Sequence, residues 1–351
     1  MAKAKKKRLP KDFEELLKRK DLVTLKAVFD TCEIDARGGY SDCTALAFTE
    51  CPDELAQWLV DNGADINATD KRGATPLHAR ARYWKGGFEV LLTLGANVNA
   101  DADSIGTPLH AAADSHKPKN AALLIAHGAK VNARNREGLT PLELALRGCS
   151  NADLDQMAPL AHVLLDAGAE KTPAMKQSIK EIGERFEFHR SGFNPESVDA
   201  ANAALEELYR LFDVSPAPRR MLYDGKSPIR PTSTTWQKQH EELWNLLVPS
   251  SGFASTVQGE VIRIAGRISD ELERNGGANW DKDYRTMAKA FLTHVRTGTS
   301  LSPELSQECE AIVNSLIKDG SGDTARLAEF GVSWVLLNPQ PFSHSKPEYK
   351  R

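Results

Sequence analysis

The chain has little of what marks a secreted, membrane-spanning or polyanion-binding protein. Its 351 residues hold five cysteines, Cys32, Cys43, Cys51, Cys149 and Cys309, odd in number and with no Cys-x-x-Cys pair. That argues against a disulfide framework and a zinc site, and for a reducing cytoplasm. No stretch approaches the roughly 18 apolar residues of a membrane span. The basic start Lys3-Ala4-Lys5-Lys6-Lys7-Arg8 runs into Leu9-Pro10-Lys11-Asp12, not into the apolar core of a secretory signal. Charge of neither sign dominates: 45 Lys and Arg against 48 Asp and Glu give a net −3. Nucleic acid is therefore an unfavoured partner. The basic run, without interleaved aromatics, reads as a disordered tail over residues 1–9. What is present is a 41% hydrophobic chain long enough for two domains.

Two phrases repeat. Gly63-Ala64-Asp65-Ile66-Asn67-Ala68 recurs as Gly95-Ala96-Asn97-Val98-Asn99-Ala100 and Gly128-Ala129-Lys130-Val131-Asn132-Ala133, with a worn copy at Gly168-Ala169-Glu170. Between them stand Thr75-Pro76-Leu77-His78, Thr107-Pro108-Leu109-His110 and Thr140-Pro141-Leu142-Glu143. The step from Thr75 to Thr107 is 32 residues and from Thr107 to Thr140 is 33, a solenoid period. Thr caps a helix, Pro suits its first position and Leu begins the buried stripe. Each Gly follows an apolar run and suits a left-handed helix stop; the Asn residues suit the following turn. The segments around Phe13–Leu17 and Val23–Phe29 read as a degenerate helix pair, with Ile34-Asp35-Ala36 where the Asn phrase would stand. The last repeat carries an insertion near Gly148-Cys149-Ser150-Asn151, since Gly168 lies 40 residues after Gly128.

These phrases resemble the ankyrin repeat. The resemblance implies a β-turn and two antiparallel helices per unit, over residues 10–171: an N-terminal cap and four repeats, with His78 and His110 bonded to the turns. It also implies protein binding along the concave strip. The strip positions are Tyr40 and Ser41, Lys71 and Arg72, Arg82 and Tyr83, Asp103 and Ser104, Asp114 and Ser115, Arg136 and Glu137, and Arg147, with Trp84 adjacent to Tyr83. Arg, Tyr and Trp dominate interface energetics, so Arg82-Tyr83-Trp84 is the expected anchor. The mixed signs of the strip favour a protein over a polyanion.

From residue 172 the period vanishes, but helical spacing persists through 351, broken by a Pro/Gly-rich loop at 214–231. The expected architecture is all-α: a solenoid followed by a helical domain. Pro218-Arg219-Arg220, His240-Glu241-Glu242-Leu243-Trp244, Gln258-Gly259-Glu260-Val261-Ile262-Arg263 and Gly276-Gly277-Ala278-Asn279-Trp280-Asp281 together resemble a helical module attached to ankyrin repeats in uncharacterised bacterial proteins. That likeness carries no activity with it. This half, folded back, would compete for the concave strip.

Candidate chemistry is sparse. Asp224-Gly225-Lys226-Ser227 has the end of a phosphate loop but lacks its first glycine and a preceding strand, so it reads as a turn. His240-Glu241-Glu242-Leu243-Trp244 has Trp where a zinc helix needs its second His. Glu260, Arg263, Arg267 and Asp270 share one helix face. They would line a polar cleft in an enzyme, or form a structural ion-pair network, the reading preferred here. The expectation is thus non-catalytic binding of another protein in a bacterial cytoplasm, of inhibitor or immunity type, with no cofactor, metal or membrane.

Overall fold

Glycines and Thr-Pro steps set the helix ends of the first half. A computed structural model of the protein describes residues 4–83, 87–102 and 105–350. The helices up to residue 212 are α1 (Phe13–Arg19), α2 (Leu22–Thr31), α3 (Asp53–Asp61), α4 (Pro76–Ala81), α5 (Glu89–Thr93), α6 (Pro108–Asp114), α7 (Pro118–Ala126), α8 (Pro141–Gly148), α9 (Leu154–Asp166), α10 (Pro173–His189) and α11 (Pro195–Phe212). Gly63, Gly95, Gly128 and Gly168, following α3, α5, α7 and α9, take φ of 91°, 91°, 88° and 92°, where glycine alone pays no steric cost. The next amide then closes each stop. Ala64 N donates to Leu59 O at 3.0 Å, and Ala96, Ala129 and Ala169 repeat the bond onto Leu91, Leu124 and Leu164.

The inner helices α4, α6 and α8 each start at the proline after a capping Thr. His78 Nδ1 accepts the Thr75 amide at 3.2 Å, His110 Nδ1 the Thr107 amide at 3.1 Å and Glu143 the Thr140 amide at 2.9 Å. With Nδ1 accepting, Nε2 carries the proton. It donates to Gly106 O at 2.8 Å from His78 and to Leu139 O at 3.0 Å from His110, each in the next repeat. Between helices, Leu55, Leu59, Leu77, Leu91, Leu109, Leu124, Leu142 and Leu164 are wholly buried, one shared core running along the stack.

The tips are stitched by the Asn phrase. Asn67 Oδ1 accepts from Asn97 N at 2.9 Å, Asn99 Oδ1 from Lys130 N at 2.8 Å and Asn132 Oδ1 from Glu170 N at 3.0 Å. Asp35 does the same for Asp65 N at 3.1 Å.

The fold is mostly α-helical, as expected, and the cap adds one small sheet. A three-stranded sheet of order β1-β2-β3 joins β1 (Lys6–Arg8), β2 (Cys32–Gly38) and β3 (Cys43–Thr44), with β1 parallel and β3 antiparallel to β2. The expected disordered tail is therefore corrected for residues 4–9, residues 1–3 lying outside the described part. Leu9, 7% exposed, packs on Gly38, and its amide donates to Arg37 O at 2.9 Å. The apolar residue after the basic run pins the strand, and the exposed Lys and Arg form its charged edge.

The chain forms two compact units. The first runs to Phe186 and takes in Asn194–Ala217, past the expected end of the repeats at 171. Arg185 of α10 donates to Cys149 O in the insertion, and His162 of α9 bonds Glu207 of α11 at 2.5 Å. Tyr209 of α11 passes so close to α10 that a Cβ at Gly183 would collide with its hydroxyl.

The second unit comprises Glu187–Phe193 and the chain from Pro218. Its helices are α12 (Trp236–Leu247), α13 (Val257–Ser269), α14 (Lys282–Val295), α15 (Pro303–Asp319) and α16 (Thr324–Leu337). Every residue from Val257 to Ala265 is buried, because α13 is packed by α12, α14 and α16 and crossed by the C-terminal strap after α16. The strap is hydrogen-bonded at Val257 N to Phe342 O, 2.9 Å, and at His344 N to Ser255 O, 3.0 Å. Among the described residues no helix is long and apolar enough to cross a membrane.

Candidate functional site

The cap and the first two repeats enclose a recess of about 370 Å³. Tyr40, Arg72, Arg82 and Tyr83 of the expected strip line it, with Glu14 and Leu17 of α1, Cys43 and Phe48. Tyr40 and Tyr83 are 83% and 52% exposed, leaving two rings with an apolar body and a polar tip open to a partner. Tyr40 is held by Lys71, whose Nζ donates to Tyr40 O at 2.6 Å and lies 4.2 Å from the ring centroid. Arg82 pairs with Asp114 of the next repeat at 2.9 Å. Tyr83 is positioned from beneath. Buried Asn120 on α7 donates through Nδ2 to Ala81 O at 2.8 Å and Tyr83 O at 2.7 Å.

Ser41 of the strip also lines the recess, while Arg136 and Arg147 are not part of its lining. Arg136 is exposed beside Asp101, Arg134 and Asn135, and Arg147 pairs with Glu137 at 2.6 Å. Trp84, Asp103 and Ser104 fall outside the described residues.

Sequence reasoning missed the cap's share of the recess. Glu14, Leu17, Phe48 and Glu50 contribute to its lining, and only the amphipathic spacing of Phe13, Leu16 and Leu17 hinted that α1 packs on the stack. It also missed Arg80, fully buried on α4. Its guanidinium donates to Leu46 O at 2.8 Å, Gly87 O at 2.6 Å and Cys51 O at 3.3 Å.

The electrostatics of the recess are uneven. Asp70 is consumed by its own loop, accepting from Arg72 N and Ala74 N at 2.8 and 2.9 Å. Lys18 is held by Glu15 at 2.7 Å. Among the described residues the Glu14, Glu50 and Arg72 side chains make no hydrogen bond or ion pair, and both carboxylates act on the nearby Lys18 ammonium. The Cys43 thiol is pushed up to about 11, by burial first and then by the charges of Asp70, Glu14 and Asp42.

In the second unit the four candidate polar residues do not converge. Glu260 and Arg263 pair at 2.6 Å with side chains 0% and 2% exposed. Glu260 also accepts from Tyr349 Oη at 2.6 Å and Ala254 N at 2.9 Å. Burial pushes its carboxyl up, but these partners outweigh that and hold it below the usual range. Arg267 and Asp270 are exposed, and Asp270 pairs with Arg274 at 2.9 Å. The helical wheel puts all four on one face, but only the first half of α13 is enclosed. Asp224 caps a turn, accepting Lys226 N and Ser227 N at 2.8 Å each, with Gly225 at φ 77°. Trp244 packs its ring on Gly266.

Residues 43–135 match the family described as Ankyrin repeats (3 copies). The chain carries ankyrin repeats, and these are a protein–protein interaction scaffold. No curated protein matches the chain.

Proposed function

We propose that the chain binds another protein along the concave strip, without chemistry of its own, and that the contact centres on the recess between Tyr40 and Tyr83. The observation that carries this is the pair of exposed tyrosines over a formed recess, flanked by Lys71, Arg72 and Arg82. Tyr and Arg anchors around a concavity are the composition of an interface core. The narrower reading, an inhibitor- or immunity-type protein in a bacterial cytoplasm, is supported by analogy of architecture alone.

The test is affinity capture from the native host with mass spectrometry, wild type against an Arg82→Glu/Tyr83→Ser double variant whose fold is checked by circular dichroism. Capture lost in the variant supports the strip; a partner retained at wild-type yield removes it.

A further inference from the structure

We propose that Asn275 is a site of spontaneous amide loss, in which its side chain closes onto the Gly276 amide and leaves aspartate or isoaspartate beside the buried carboxylate of Glu271.

The chain holds two Asn-Gly steps, Asn62-Gly63 and Asn275-Gly276. A glycine puts no side chain beside its own amide nitrogen, so ring closure onto that nitrogen is sterically open at both. Each step follows the last turn of a helix: α3 for the first, the π turn Asp270–Arg274 that extends α13 for the second. Both are exposed. The two asparagines share a backbone conformation, φ −96° and ψ 15° at Asn62 against −98° and 0° at Asn275. What differs is the nucleophile. Gly63 N donates to Val60 O at 2.9 Å, Ala64 N to Leu59 O at 3.0 Å and Asn62 Nδ2 to Trp58 O at 2.8 Å. Attacking nitrogen and leaving amide are thus both tied to α3. Around Asn275 the bonds run from Asn275 N to Asp270 O and from Gly277 N to Glu271 O, and Gly276 N between them has no partner among the described residues. Water reaches that N–H directly. Gly276 and Gly277, at φ 63° and 73°, let the chain turn there without moving a side chain of their own.

The step needs only water. Gly276 N loses its proton to water and attacks Asn275 Cγ. The Cγ–Nδ2 bond breaks, and Nδ2 takes up the proton and leaves as ammonia. Water then opens the cyclic imide at either carbonyl. The consequence falls on Glu271, 4% exposed, which accepts from Asn275 Nδ2 at 3.0 Å, Asn279 N at 2.6 Å and Asn279 Nδ2 at 3.2 Å. A carboxylate in place of the Asn275 amide removes a donor from this hub and sets a like charge against it, which loosens the loop from Asn275 to Trp280.

The test incubates the full chain in mildly alkaline buffer, then digests it and follows both Asn-Gly peptides by mass spectrometry. Isoaspartate is read separately with an isoaspartyl carboxyl methyltransferase and a labelled methyl donor. The Asn275 peptide should exchange amide for carboxyl about tenfold faster than the Asn62 peptide, the factor that one ordinary hydrogen bond represents. In urea the two rates should converge. Asn275→Gln, which keeps an amide but lengthens the side chain past easy ring closure, should remove most of the methyl label. Equal rates in the folded chain, a difference that persists in urea, or label undiminished in Asn275→Gln would overturn the assignment. Asn275→Asp should speed amide exchange at Asn279; unchanged exchange would overturn the coupling to Glu271.

Discussion

Tyr349 donates a hydrogen bond from its hydroxyl to the buried carboxylate of Glu260 at 2.6 Å. Arg263 completes the knot, so the strap is fastened to α13 by a charge pair out of reach of water. Removing one hydroxyl leaves a buried acceptor short of a donor, a cost of roughly 1–3 kcal/mol. Tyr349→Phe should therefore lower the denaturant midpoint of the second unit and speed amide exchange at Val257 and His344. Glu260→Gln should cost more, roughly 3–5 kcal/mol, because it strands the Arg263 charge. Equal midpoints for wild type and Tyr349→Phe would show that the strap holds without the hydroxyl.

The same region should lose stability in acid. His294 is pushed down to about 4, by burial first and then by the neighbouring His344, 5.1 Å away ring to ring, against the pull of Glu260. Its Nε2 has no partner among the described residues. In the unfolded chain the imidazole protonates near pH 6.5; in the fold it stays neutral until about 4. The stability it contributes is complete above pH 6.5 and drains away as pH falls toward 4, by up to about 3 kcal/mol. His78 and His110, also pushed down by burial, give the repeats the same sign. His294→Phe should flatten the stability–pH curve of the second unit across that window, read by urea melts at stepped pH. A curve of undiminished slope would rule His294 out as its source.

How far these features could be read beforehand depended on whether they repeat. The glycine stops, the Thr-Pro starts and the His-to-turn bonds stand in several copies, so one period reveals them all. Asp35 in the place of an asparagine was visible for the same reason, and it makes the same bond. What occurs once was hidden. β2 is a single seven-residue run, Cys32–Gly38, whose apolar/polar alternation is a strand signal masked where Ile34-Asp35-Ala36 reads as a worn copy of the Asn phrase. Helical spacing showed that α10 and α11 exist, but spacing does not tell which neighbours a helix packs against; Gly183 beneath Tyr209 does, and only in three dimensions. On α13, spacing aligned Glu260 with Arg267, while the enclosure that buries one and exposes the other comes from α12, α14, α16 and the strap.

The Asn stitching yields a cooperativity test. Asn99 makes two bonds to the next repeat, accepting from Lys130 N at 2.8 Å and donating to Gly128 O at 3.0 Å. Its exposure lets water replace part of both, so Asn99→Ala should cost only about 1 kcal/mol. That loss falls on a repeat–repeat interface, and stack stability is a sum of unit and interface contributions. The urea transition of the first unit should broaden as well as shift; a shift of unchanged steepness would mean that the bond acts within one repeat only.

Arg80 ties α4 to the cap side of the stack entirely through carbonyls. Truncation to Ala strips donors from Leu46 O, Cys51 O and Gly87 O and opens a void, combining two of the mechanisms behind large losses. We expect more than about 3 kcal/mol, with folding impaired at 37 °C. Arg80→Lys should recover little, because a single ammonium cannot reproduce the fork. Full rescue by Lys, measured by thermal melts, would reduce the requirement to charge alone.

Asn120 separates positioning from contact. It lies beneath the strip, 6% exposed, and fixes the Ala81 and Tyr83 carbonyls, so it acts on a partner only through the backbone that carries Tyr83. Asn120→Asp keeps the size but swaps the bonding amide for an acceptor facing two carbonyls, at a cost of roughly 1–3 kcal/mol. Asn120→Ala frees the same backbone without repulsion. Both should broaden the Tyr83 ring resonance and speed release of a captured partner, with a smaller effect on its association rate, because the anchor is present but no longer held. A Tyr83 resonance unchanged in both variants would show that the end of α4 is rigid without Asn120, and the slower release of wild type would then need another cause.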